Sequence, residues 1–85
     1  MRIRMSLATA FLVVLSQAPA LSGRAVTEEE RAKLVAALAV EGCSGGEMEF
    51  DDGIYEVEET VCRDGKEYNV VFDANFKLIS KEVDD

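Results

Sequence analysis

Apolar residues recur at helical spacing before Gly42 and at every second position after it, and this change of period limits the fold more than any other feature of the chain. Ahead of it, Ala32, Leu34, Val35, Leu38 and Ala39 fall on one side of a helical wheel, with Arg31, Lys33 and Glu41 elsewhere around it. Thr27-Glu28-Glu29-Glu30 reads as a capping box, in which Thr27 accepts the N3 backbone N–H and Glu30 reaches back to the cap. Three glutamates in the first turn also suit the positive end of the helix dipole. Gly42 suits a helix stop, so the spacing predicts a helix over 28–41. Val26 gains no hydrophobic staple, because Arg31 occupies the position it would meet.

Beyond Gly42, Ser44-Gly45-Gly46 reads as a turn, and Met48 and Phe50 then alternate with Glu47, Glu49 and Asp51. Asp52-Gly53 is a hairpin signal, after which Tyr55 and Val57 share one face and Glu56 and Glu58 the other. Asp64-Gly65 is a second hairpin signal, followed by Tyr68, Val70 and Phe72 in strict alternation. Ala74-Asn75 makes a third turn before a last strand within 76–83. The expectation is an α+β domain, one N-terminal helix packed on an antiparallel meander of about four strands. The phase breaks once. Unbroken alternation carries Glu59 inward beside Val61, whereas a bulge near Glu58-Glu59 turns Cys62 inward instead. The sequence leaves both arrangements open.

The first 20 residues read as a secretory signal peptide: Arg2 and Arg4 open it, residues 5–15 carry no charge, and Ala18-Pro19-Ala20 is a cleavage signature. The uncharged run is short of the ~20 apolar residues that span a bilayer. The expected layout is a signal peptide over 1–20 cleaved after Ala20, a short mobile lead over 21–26, and one domain over 27–85. The product is expected in the periplasm or outside the cell, with no stable membrane span after cleavage. Export into an oxidising compartment makes Cys43 and Cys62, the two cysteines of the chain, a disulfide pair. Closing a loop of about 20 residues stabilises by roughly 3 kcal/mol in the chain-entropy model. A domain of about 60 residues buries only about 60% of its unfolded surface, so that contribution matters.

The strand Tyr55-Glu56-Val57-Glu58 and the run Asp64-Gly65-Lys66-Glu67-Tyr68-Asn69-Val70-Val71-Phe72-Asp73 together resemble a PepSY domain, the module also found in propeptides of secreted metalloproteases. The resemblance extends over about 26–83 and includes the Thr-Glu-Glu-Glu helix start and the Gly42-Cys43 turn. It implies a PepSY-like fold and a modulatory role towards proteases, with no catalytic residues and no cofactor. The chain departs from the pattern at Phe76-Lys77, where the family often has a Gly turn; Asn75 is the residue expected to adopt the left-handed conformation instead.

The composition bears on the alternatives. There is no His, which removes a histidine base and a Cys/His zinc site. A formal charge of −8 disfavours nucleic acid. Asp51-Asp52 and Asp73-Ala74-Asn75 are oxygen-rich but lack the loop spacing of a calcium hand, and turn chemistry accounts for them. The carboxylates of Glu47, Glu49, Glu56 and Glu58 sit on the face that alternation marks as solvated. Val71 lies opposite the core parity of its strand, and Ile79 also stands out. The sequence therefore points to a non-enzymatic binding or regulatory module, with Val71, Glu47, Glu49, Glu56 and Glu58 as a partner surface. An extended peptide or a protease segment could add to an open sheet edge there. The rival reading is an acidic envelope protein that binds cations or basic partners in a structural or stress role. The sequence does not specify an oligomeric state.

Overall fold

The computed structural model describes residues 23–84, so the signal-peptide reading of 1–20 lies outside the described residues. Strand β1 (Arg24–Ala25) comes first, then helix α1 (Glu28–Val40), β2 (Cys43–Ser44), β3 (Glu47–Asp51), β4 (Ile54–Cys62), β5 (Glu67–Asp73) and β6 (Leu78–Val83). One antiparallel sheet takes all six strands in the order β1-β3-β4-β5-β6, with β2 paired to β4.

This corrects the expected architecture of one N-terminal helix on about four strands. The described residues form mostly sheet, and α1 follows β1 instead of leading. Residues 24 and 25, expected in a mobile lead, pair with Phe50 and Glu49 of β3. The two additional strands, β1 and β2, are two residues long each. A segment that short carries no period for alternation to reveal; the unpaired edges of β3 and β4 recruit it.

The cap forms as its residue types dictate. Thr27 Oγ1 accepts from the Glu30 N–H at 3.1 Å, and Glu30 Oε1 accepts from the Thr27 N–H at 2.9 Å. Within α1 only Leu34 and Leu38 are buried, one turn apart on a single ridge. Val35 is 53% exposed, and Ala32 and Ala39 also face solvent, so the expected five-residue apolar face narrows to that ridge. Leu34 and Leu38 share one buried cluster with Met48, Tyr55, Val57, Val70 and Phe72.

The structure selects the bulge. Register runs from Val57↔Val70 to Thr60↔Tyr68, which leaves one extra residue on β4. Glu59 takes a φ of 59°, and its N–H is taken up by Asn69 Oδ1 at 3.2 Å. Past the bulge Thr60 and Cys62 are buried and Val61 is exposed. The Cys43–Cys62 disulfide therefore lies on the core side, between directly paired residues of β2 and β4. The buried Thr60 hydroxyl donates to the Ser44 carbonyl at 3.0 Å, which satisfies its hydrogen-bonding need.

The last two turns have the same hydrogen-bond scheme. Cys62 N–H donates to Lys66 O and Gly65 N–H to Cys62 O; Asp73 N–H donates to Lys77 O and Phe76 N–H to Asp73 O. Gly65 takes a φ of 83°, and Phe76, its counterpart, takes 64°. The left-handed residue is thus Phe76 and not the expected Asn75, because the scheme fixes which position must be left-handed. Compensation comes from the ring, which stacks on Tyr55 with centroids 4.8 Å apart. A side chain in this region costs about 1 kcal/mol that glycine does not incur. Both Phe76→Gly and Phe76→Ala lose the stack, so both should be less stable than the natural chain. Phe76→Gly should nevertheless exceed Phe76→Ala by ~1 kcal/mol, the reverse of the usual order. Urea unfolding midpoints of the pair test this, and an Ala variant equal to or above the Gly variant would refute it.

Candidate interaction surface

Three places concentrate charge or exposed apolar area, and the first is a latch. Arg24 on β1 donates to Glu30 through both terminal nitrogens, at 3.0 and 2.9 Å, while its guanidinium lies 4.6 Å from the Phe50 ring centroid. Tyr55 Oη on β4 donates to Glu30 Oε2 at 2.8 Å. One carboxylate therefore ties the start of α1 to β1 and β4. The Arg24 hydrogen bonds, then the Thr27 N–H, then the Tyr55 hydroxyl hold the Glu30 carboxyl well below the usual carboxylate range. Burial, and then the bond to Glu30, push the Tyr55 hydroxyl up. The sequence reading found Glu30 as a cap only; its contacts with Arg24 of β1 and Tyr55 of β4 come from the tertiary fold.

The outer sheet face holds the surface residues expected from the sequence. Glu47 stands directly opposite Glu58, and Glu49 opposite Glu56. On its other side Glu56 faces Val71, which in turn faces Ser80 of β6. The structure thus brings Glu47, Glu49, Glu56, Glu58 and Val71 onto one face, with Val71 half-buried. Like charges directly opposite each other destabilise a sheet. Burial, followed by the charges of Asp51, Glu49 and Glu58, raises the Glu56 carboxyl above its ordinary value.

Glu30 and Glu56 shift in opposite directions, so their pH signatures oppose. A depressed carboxylate contributes stability that is in place above its unfolded pKa, ~4.3, and is lost as pH falls towards the folded value. A raised carboxylate contributes stability below that unfolded value and loses it as pH rises through the folded one. Glu30→Gln should therefore lower the urea midpoint most at neutral pH and progressively less in acid. Glu56→Gln should raise the midpoint at neutral pH and converge on the natural chain in acid. Parallel pH profiles for the two variants would contradict this assignment.

The third place is the margin between β6 and α1. Pairing of Leu78 with Phe72, Lys81 with Val70 and Val83 with Tyr68 puts these three β6 residues on the core side. A register shift beside Val71/Phe72 leaves Ile79 as the extra residue. Lys81 Nζ lies 5.0 Å from the Tyr68 ring centroid and donates to the Glu41 carbonyl at 3.3 Å, while Lys33 Nζ lies 5.6 Å from the Phe76 ring. These contacts join the helix side to the β6 margin through the α1 C-cap Glu41 and the turn residue Phe76, and Val40 is the last residue of α1, next to that cap. Val40 is 82% exposed, Leu78 44%, Ile79 56% and Val83 47%. Among the described residues β6 ends the sheet, so its outer edge is unpaired. The sequence singled out Ile79, but identifying the edge strand required the sheet order.

The acidic turns are occupied by their own backbone. Asp73 Oδ1 accepts from the N–H groups of Asn75 and Lys77, and Asp64 accepts from Lys66 N–H and the Tyr68 hydroxyl. Among the described residues no three Cys, Asp or Glu side chains converge as metal ligands. Both cysteines are taken up in the disulfide. No helix among the described residues is long and apolar enough to cross a membrane.

No curated protein and no solved structure matches the chain. The family model described as "Peptidase propeptide and YPEB domain" matches residues 5–82, nearly the whole sequence. A match over that much of the sequence shows that this chain belongs to the PepSY family.

Proposed function

We propose that the chain is an exported, non-enzymatic module that binds and regulates a peptidase, with the open edge of β6 as its contact. Membership of a peptidase-propeptide family supports the target class. The buried Cys43–Cys62 disulfide supports folding in an oxidising compartment. The observation that carries the reading is the edge of β6, unpaired among the described residues, with three exposed apolar side chains on the strand, Leu78, Ile79 and Val83. An extended segment can add there as a further strand, its main chain supplying hydrogen bonds and its side chains specificity. Titrating the chain into the exported peptidases of its host, with a fluorogenic peptide as reporter, tests this. A saturable change in hydrolysis, weakened by Ile79→Lys, is expected. A flat titration for every peptidase overturns it.

A second reading rests on the outer face. The like-charged pairs Glu47–Glu58 and Glu49–Glu56 favour a role in holding cations or basic partners. Binding through that face should disappear at high salt, whereas strand addition at β6 should largely survive it.

A further inference from the structure

Building on the peptidase-binding reading, we propose that the β6 margin selects one kind of segment: an extended strand that alternates apolar and basic residues. The alternation follows from the two sides of β6. On the core side an incoming strand meets Leu78 and Val83, with exposed Ile79 at the register shift beside Leu78, so the residues it turns to that side must be apolar. On the other side it meets Ser80 and Glu82 and the margin of a chain with formal charge −8, so the intervening residues are basic. Lys81 projects to the core side, but the Glu41 carbonyl and the Tyr68 ring already engage it, so it requires no acidic partner.

The same geometry disfavours a second copy of the chain. An antiparallel self-pairing that joins at least three residues of β6 and keeps core side opposite core side can centre on Lys81, on Glu82 or on Ser80. The first sets Lys81 against its copy, and the second sets Glu82 against its copy; like charges directly opposite are destabilising. The third meets the register shift at Ile79, which puts Leu78 out of phase with Glu82. An inward charge and a bulge are the devices by which edge strands avoid their own kind. Exposed apolar residues guarded against self-pairing fit a different sequence.

The test is amide NMR of the chain with three synthetic peptides: valine alternating with lysine, the same residues in two blocks, and valine alternating with glutamate. The alternating lysine peptide should slow exchange of the outward β6 amides and shift Ile79 and Val83. Ile79→Lys should weaken it about tenfold, the effect of losing one buried apolar side chain. Glu82→Lys should move the preference to the glutamate peptide. Equal binding of the block peptide overturns the proposal. So do shifts confined to the Glu49/Glu56 face, or β6 protection that grows with chain concentration in the absence of peptide. Peptide binding at β6 without an effect on any peptidase supports the proposed selectivity and removes the peptidase reading. Peptidase inhibition with β6 unprotected does the reverse.

Discussion

Replacing both Cys43 and Cys62 by alanine should lower stability by about 3 kcal/mol and leave much of the chain unfolded near 37 °C. The whole fold, at about 60 residues, is expected to be worth only some 3–9 kcal/mol. The loss has a specific site. Strand β2 has two residues, and its sheet partner is β4. Without the covalent link β2 has little to hold it, and the buried Thr60 hydroxyl is left without the Ser44 carbonyl. An unsatisfied buried hydroxyl adds a further cost of ~1–3 kcal/mol. Alanine avoids burying a new polar group at either position, since both cysteines are buried. Urea midpoints of the oxidised, reduced and double-alanine chains should fall together in the last two. A reduced chain as stable as the oxidised one would show that β2 docks without its covalent tie.

Gly46→Ala should be the most damaging single methyl addition, at ~3 kcal/mol. Gly46 joins β2 to β3 alongside the β4 bulge, with a φ of 104°. A Cβ there would lie 2.7 Å from the Glu58 carbonyl oxygen and 3.1 Å from the Thr60 Cα. Both atoms are backbone, so the bulge itself must move, and the bulge sets which residues of β4 face inward. Gly45 provides the control. Its φ is 76°, but a Cβ would meet nothing within 4 Å. Gly45→Ala should cost only the conformational term, ~1 kcal/mol. Equal effects of the two substitutions would show that close approach at the bulge is not what requires glycine.

The outer carboxylate face was largely legible before the structure. Alternation alone separates Glu47, Glu49, Glu56 and Glu58 from Met48, Phe50, Tyr55 and Val57. That Glu47 meets Glu58 and Glu49 meets Glu56 follows from the Asp52-Gly53 turn, whose two-residue loop fixes the register. The β6 margin was not legible. An edge strand is defined by the absence of a neighbour, which is a property of the sheet order and not of the residues in the strand.

From its own residues the chain determined what local chemistry can decide: the Thr27–Glu30 cap, the period change at Gly42, the Asp52-Gly53 and Asp64-Gly65 turns, and the pairing of two cysteines. Each depends on contacts within a few positions, or on there being one available partner. Tertiary structure decided the bulge at Glu59, the two-residue strands β1 and β2, the left-handed backbone of Phe76 and, among the described residues, the place of β6 at the edge of the sheet. In each of these a segment takes a conformation with weak or contrary local preference, because backbone groups on distant segments need partners or space and the sheet places them together.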